Sequence, residues 1–126
     1  MRFLWICIAG AVGTGARYLL GDWVLRLTGP SFPWSTLVIN TLGSFLIGAI
    51  MQVALTVEGF NPTLRVALTT GLMGGFTTYS SFNYETMRLV EEGAVAAAML
   101  NVAVTLAGGL TAGFLGLVFA RELLGH

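Results

Sequence analysis

Residues 74–85 read GGFTTYSSFNYE, a polar and glycine-rich run with apolar sequence on both sides. Two glycines lead into a series of hydroxyls, aromatics stand at Phe76, Tyr79 and Phe82, and the carboxylate of Glu85 closes the stretch. Glycine is costly inside a helix and threonine is mediocre there, so Gly74-Gly75 followed by Thr77-Thr78 predicts a broken helix. A break frees carbonyls at the end of one half-helix and N–H groups at the start of the next. In lipid such groups have to be buried in protein or line a cavity. The carbonyl end carries partial negative charge, which suits a small hard cation. Backbone oxygens without a carboxylate favour a monovalent ion over a divalent one. Past the break, Tyr79 and Phe82 share a helix face, and aromatic ring edges are electropositive. Ser80 and Ser81 add hydroxyl donors. Packing between helices is the alternative use of such an aromatic pair.

Composition places this stretch in a membrane. The 126 residues are 56% hydrophobic and only 10% charged, far below the charged share of soluble domains. Four apolar stretches are long enough to cross a bilayer as helices, at about residues 3–27, 33–57, 63–91 and 94–123. Turn chemistry separates them: Gly29-Pro30, then Gly59-Phe60-Asn61-Pro62, then Glu91-Glu92-Gly93. Pro33 and Pro62 suit helix starts, and Trp5, Trp23 and Trp34 lie toward helix ends, where interfacial aromatics collect. The expectation is an all-α membrane protein of four transmembrane helices with the third one broken. A secretory leader over residues 1–16 is the competing reading of the start, but Gly10, Gly13 and Gly15 look like packing residues and three further spans follow. The loops are too short to hold an enzyme site. The single Cys7 permits neither an intrachain disulfide nor a thiolate metal site. Six arginines, no lysine and six acids leave no basic patch for nucleic acid.

Orientation is poorly specified by charge. With four spans, one side holds Arg2, Arg65 and Arg121; the other holds Arg26 and Arg88, with Arg17 if it snorkels that way. The arginine and lysine bias that normally orients a chain is nearly absent. Copies inserting both ways up, paired about an axis in the membrane plane, follow as the simplest expectation. Four short helices also suggest an oligomer.

Two polar stripes run along helices. Thr36, Asn40, Ser44 and Gly48 recur at four-residue spacing, as do Asn101, Thr105, Gly109 and Gly113, so each set shares one face. Small residues suit helix packing. Asn40 is different: an amide at this depth faces a polar interior, and its two N–H donors suit an anion. Arg17 offers either a structural tie or a charge that concentrates anions at a vestibule. Glu85 and Arg88 are three apart and suited to pair.

The stretches GAVGTGARYLLG, INTLGSFLIG and GLMGGFTTYSSFNYE together are similar to the Fluc (CrcB) family of fluoride channels, over essentially the whole chain. The resemblance implies a dual-topology antiparallel homodimer in the cell (inner or plasma) membrane, with two pores that export fluoride passively. It implies a structural Na⁺ at the dimer interface, held by the backbone carbonyls of Gly74 and Thr77. Its pore residues map to Asn40, Tyr79 and Phe82, with Thr36, Ser81, Asn101 and Thr105 as further polar positions. Its vestibule residues map to Arg17 and Glu85. Two positions depart from the family pattern: Tyr79 stands where Phe is usual, and Asn101 where relatives often carry Tyr. They leave room for a divergent paralogue as the partner. The alternatives are a small proton-coupled multidrug-type exporter, which needs a titratable group deep in the first helix, and a non-transporting assembly subunit, which leaves Asn40 and the TTYSSF run without a use. An enzyme is the least favoured class.

Overall fold

The computed structural model describes residues 1–125; His126, to which the sequence reading gives no role, lies outside the described residues. The described chain is helical and contains no strand. Helix α1 spans Arg2–Thr28 and ends at Gly29, whose φ of 79° only glycine adopts readily. Helix α2 spans Trp34–Thr56 and α6 spans Val95–Leu123. These three are long and apolar enough to cross a membrane.

Between α2 and α6 the chain is interrupted. Asn61 starts α3 (Pro62–Val66): its side-chain oxygen accepts from the N–H groups of Thr63 at 2.8 Å and Leu64 at 3.1 Å, and Pro62 fills a position whose N–H is not needed. Residues Ala67–Met73 then widen into a π-helix, a geometry that the residue pattern did not anticipate. One α-turn follows, α4 (Gly74–Phe76). Thr77 (φ −86°, ψ 160°) and Thr78 (φ −150°, ψ 111°) are extended, and α5 (Tyr79–Glu91) begins after them. The break therefore lies at the two threonines, while the glycine pair stays helical.

The glycines serve contact instead. A Cβ on Gly75 would collide with the Gly10 carbonyl of α1, so α1 and α4 touch backbone to backbone only because this position is bare. Gly116 does the same for α6 against the Phe45 carbonyl of α2. These approaches press α2 along α6 and α1 along the π-helical segment. A small apolar cluster of Ile39, Met73 and Phe76, with Leu20, Leu46, Ile50 and Leu72 packed on it, fixes the break from behind.

The outside of the molecule is greasy. Leu110 is 76% exposed and Phe114 is 65% exposed, along the flank of α6, and Trp5 and Trp23 are exposed on α1. Such a surface suits lipid or another protein face rather than water. The charged residues pair near helix ends, Asp22 with Arg26 and Arg88 with Glu92, each at 2.9 Å and largely exposed. Arg88 thus pairs with Glu92, four residues on, and not with Glu85; the i,i+4 partner lies in the solvated last turn, whereas the Glu85 carboxyl turns inward.

Candidate functional site

At the break the Thr77 N–H still donates to the Met73 carbonyl at 2.9 Å, whereas Thr78 has left the helical ladder, and side chains from two other helices serve the backbone groups around it. Asn40, on α2, meets Thr78 through both halves of its amide. Its Nδ2 donates to the Thr78 carbonyl at 3.0 Å, and the Thr78 N–H donates to its Oδ1 at 2.8 Å. The side chain imitates a peptide group of a neighbouring strand. One N–H of the amide is left over, so Asn40 retains a single donor and not the two that its chemistry offers when free. Arg17, on α1, donates from Nε to the Gly75 carbonyl at 3.0 Å. Thr78 also caps α5: its Oγ1 accepts from the Ser81 N–H at 3.1 Å and donates to the Ser81 hydroxyl at 3.0 Å.

Two cavities meet at Thr78. The larger, about 870 Å³, is lined by Arg17, Thr36, Thr78, Ser80, Ser81 and Glu85, with Asp22, Arg88 and Glu92 toward its rim. The smaller, about 320 Å³, is lined by Asn40, Ser44, Gly74, Thr77, Thr78, Tyr79, Phe82 and Thr105. Thr78 belongs to both walls, so the Asn40–Thr78 pair stands between the two spaces. The smaller cavity contains no carboxylate, imidazole or guanidinium. Its donors are hydroxyls and one amide, and its aromatics form a tilted pair with centroids 5.7 Å apart and planes at 55°. A tilted pair turns ring edges as well as faces to the space beside it. Tyr79 is 76% exposed in the single chain, which leaves its ring open to a second molecule.

Gly74 and Thr77 also line the smaller cavity, and among the described residues no backbone N–H reaches the carbonyl oxygen of either. A backbone carbonyl without a protein donor is left to water, an ion or another chain. Gly74 is exposed and open on its outer side, where an added Cβ would meet only the Thr69 carbonyl oxygen at 3.7 Å. A monovalent cation fits this donor set: neutral oxygens, one direction of approach, no carboxylate.

The remaining site residues fall in two places. Thr36 is buried at the foot of the larger cavity beside Glu85, whose Oε1 is buried without a hydrogen-bond partner among the described residues. Asn101 lines neither cavity. It is 2% exposed and sits in a chain that starts at the Thr105 hydroxyl, which donates to Asn101 Oδ1 at 3.4 Å. Asn101 Nδ2 donates to the Thr86 hydroxyl at 2.9 Å, and Thr86 donates to the Phe82 carbonyl at 2.8 Å. Asn101 thus ties α6 to α5 just behind Phe82. Thr86 and the capping role of Thr78 were not singled out by sequence reasoning. The signal for Thr78 was present, a threonine three residues before Ser81 at a helix start; Thr86 carries no such mark.

Comparison with known proteins converges on one family. Residues 4–117 match the family model described as CrcB-like protein, Camphor Resistance (CrcB). The chain is 54% identical over 123 residues to a protein of Sorangium cellulosum (strain So ce56), covering 98% of this chain and 97% of that one. It is 51% identical over 124 residues to a protein of Anaeromyxobacter sp. (strain K), covering 98% of each. It is 48% identical over 118 residues to a protein of Geobacter sulfurreducens (strain ATCC 51573 / DSM 12127 / PCA), covering 94% of this chain and 95% of the relative. All three relatives bear the name Fluoride-specific ion channel FluC. A match that spans nearly every described helix, including both sides of the broken segment, makes this chain a member of the CrcB family.

Proposed function

We propose that the chain is a fluoride-selective channel that lets cytoplasmic fluoride leave passively, and that it is not an enzyme. The observation that carries the reading is the smaller cavity: donors and ring edges, no carboxylate, imidazole or guanidinium, and a backbone–amide septum at Thr78. Fluoride is small and strongly hydrated, so a path has to replace its water with close donors and then release it. Hydroxyls and ring edges do this weakly enough for the ion to leave, where a fixed cation would hold it. The names of the relatives point to the same ion.

The working unit is a four-span chain in the cell membrane, paired antiparallel with a second copy so that two pores run in opposite directions. Residues 62–91 provide the span that the three long helices lack. The even distribution of arginines supports insertion both ways up. Exposed Tyr79 and the open side of Gly74 support a partner at that face. Pairing brings two sets of Gly74 and Thr77 carbonyls together, and these residues would hold Na⁺ at the centre of the dimer. When bound, the ion supplies positive charge that neutralises the converging carbonyl dipoles. Thr36, Ser81, Asn40, Tyr79, Phe82 and Thr105 offer the donors and ring edges of the path. Asn101 supports it from behind.

Purified protein in liposomes loaded with fluoride or chloride provides the test. Fluoride efflux without chloride efflux is the expected result. Efflux that depends on a pH gradient would replace the channel with a proton-coupled exporter. Absence of both fluxes would leave an assembly subunit.

A further inference from the structure

The carbonyls at the break fall into two sets. Those of Gly75 and Thr78, three residues apart, are taken by side chains of the same protomer, Arg17 and Asn40. Those of Gly74 and Thr77, also three residues apart, receive no backbone donor among the described residues, and both residues line the smaller cavity. Phe76 between them is buried and lines neither cavity. Something has to hold the first set inward for the second set to face outward together.

Charge does not explain the position of Arg17. The larger cavity is lined by two guanidinium groups, Arg17 and Arg88, and by three carboxylates, Asp22, Glu85 and Glu92. Asp22 is paired with Arg26 and Arg88 with Glu92, so the charges left in the lining are Arg17 and Glu85, one of each sign, and that balance gives no net positive field with which to gather anions. Arg17 itself is in no ion pair among the described residues, and its contact at the break is made by Nε, the atom nearest the chain.

We infer that Arg17 is a positioning residue: its Nε–H braces the Gly75 carbonyl from α1, as Asn40 braces Thr78 from α2, and the two braces decide which carbonyls the break presents. The brace is a hydrogen bond and not a charge. Gly10 and Gly75 touch backbone to backbone beside it, so the turn has no slack with which to compensate for the loss of the bond.

Side-chain chemistry separates the two roles. Glutamine carries an N–H donor, Nε2, as the fourth atom beyond Cα, where arginine carries Nε, and has no charge. Lysine keeps the charge but puts a methylene at that place. The channel reading underlies only the flux arm of the test; hydrogen exchange provides an arm that needs no transported ion. In Arg17→Gln the amides of residues 76–80 exchange as in the native protein, and fluoride efflux stays within about threefold of native. In Arg17→Lys and Arg17→Ala the same amides exchange about tenfold faster, and efflux falls about tenfold, as loss of one hydrogen bond implies. Any result in which Lys equals or exceeds Gln in exchange protection overturns the inference, whether both variants behave as native or both fail. Native protein without fluoride flux would overturn the channel reading alone, since the exchange order of Gln and Lys would still decide the brace.

Discussion

Replacing Asn40 by leucine keeps the branching and the number of heavy atoms of the side chain and removes both of its bonds to Thr78. The Thr78 carbonyl loses a donor at 3.0 Å and its N–H loses an acceptor at 2.8 Å. Each buried backbone group left unmet costs about 1–3 kcal/mol. Thr78 lies between two cavities, so water reaches part of the loss back, and a net of about 2 kcal/mol is a fair working figure. That shifts the population of the competent break by about 30-fold. The loss falls on the break and not on the long helices, because α2 and α6 meet elsewhere, through contacts such as Gly116 on Phe45. Fluoride efflux from liposomes containing Asn40→Leu should therefore fall about 30-fold while the protein elutes at the native size. The Thr78 amide, followed by hydrogen exchange, should lose protection by a similar factor. Efflux within threefold of native, with the Thr78 amide still protected, would refute the peptide-mimic account of Asn40.

Three further outcomes follow from the same geometry. Phe82→Ile removes a ring edge from the smaller cavity without opening the core, so efflux should drop by about tenfold or more with assembly unchanged; chromatography and the flux assay report both. Thr86→Val leaves Asn101 Nδ2 without its acceptor at a position only 2% exposed, and thermal unfolding in detergent should show a loss of about 1–3 kcal/mol. Exchanging sodium for a bulky organic cation should lower the unfolding temperature of native protein, and an unchanged temperature would count against a cation on the Gly74 and Thr77 carbonyls.

The helix ends were legible because turn chemistry is local. Gly29, Asn61-Pro62 and Gly93 mark ends through φ preference and capping, and neither depends on distant residues. The interruption was legible only to within a few residues. Propensity puts it at Gly74-Gly75, yet those residues remain helical because bare backbone is needed there for contact with Gly10. The threonines yield instead, since Asn40 and the Ser81 cap reward an extended Thr78. The family resemblance, and not the residue pattern, put Asn101 among the polar positions of the path; its bond to Thr86, 15 residues earlier on another helix, follows from no spacing rule. Arg17 illustrates the same limit: position left it either a structural tie or a vestibule charge, and only coordinates disclose that Nε reaches Gly75.

The wide-bore turns over Ala67–Met73 have a consequence for how the chain tolerates change. Each residue of an ordinary helix advances the direction of its carbonyl by about 100°. The wide turns absorb an extra residue between the Asn61 cap and the break, and so they set the compass bearing of every oxygen downstream. Point replacements in this segment leave that bearing alone. Removing or adding one residue would swing the carbonyls after it to a new bearing, so length is under tighter constraint here than side-chain identity.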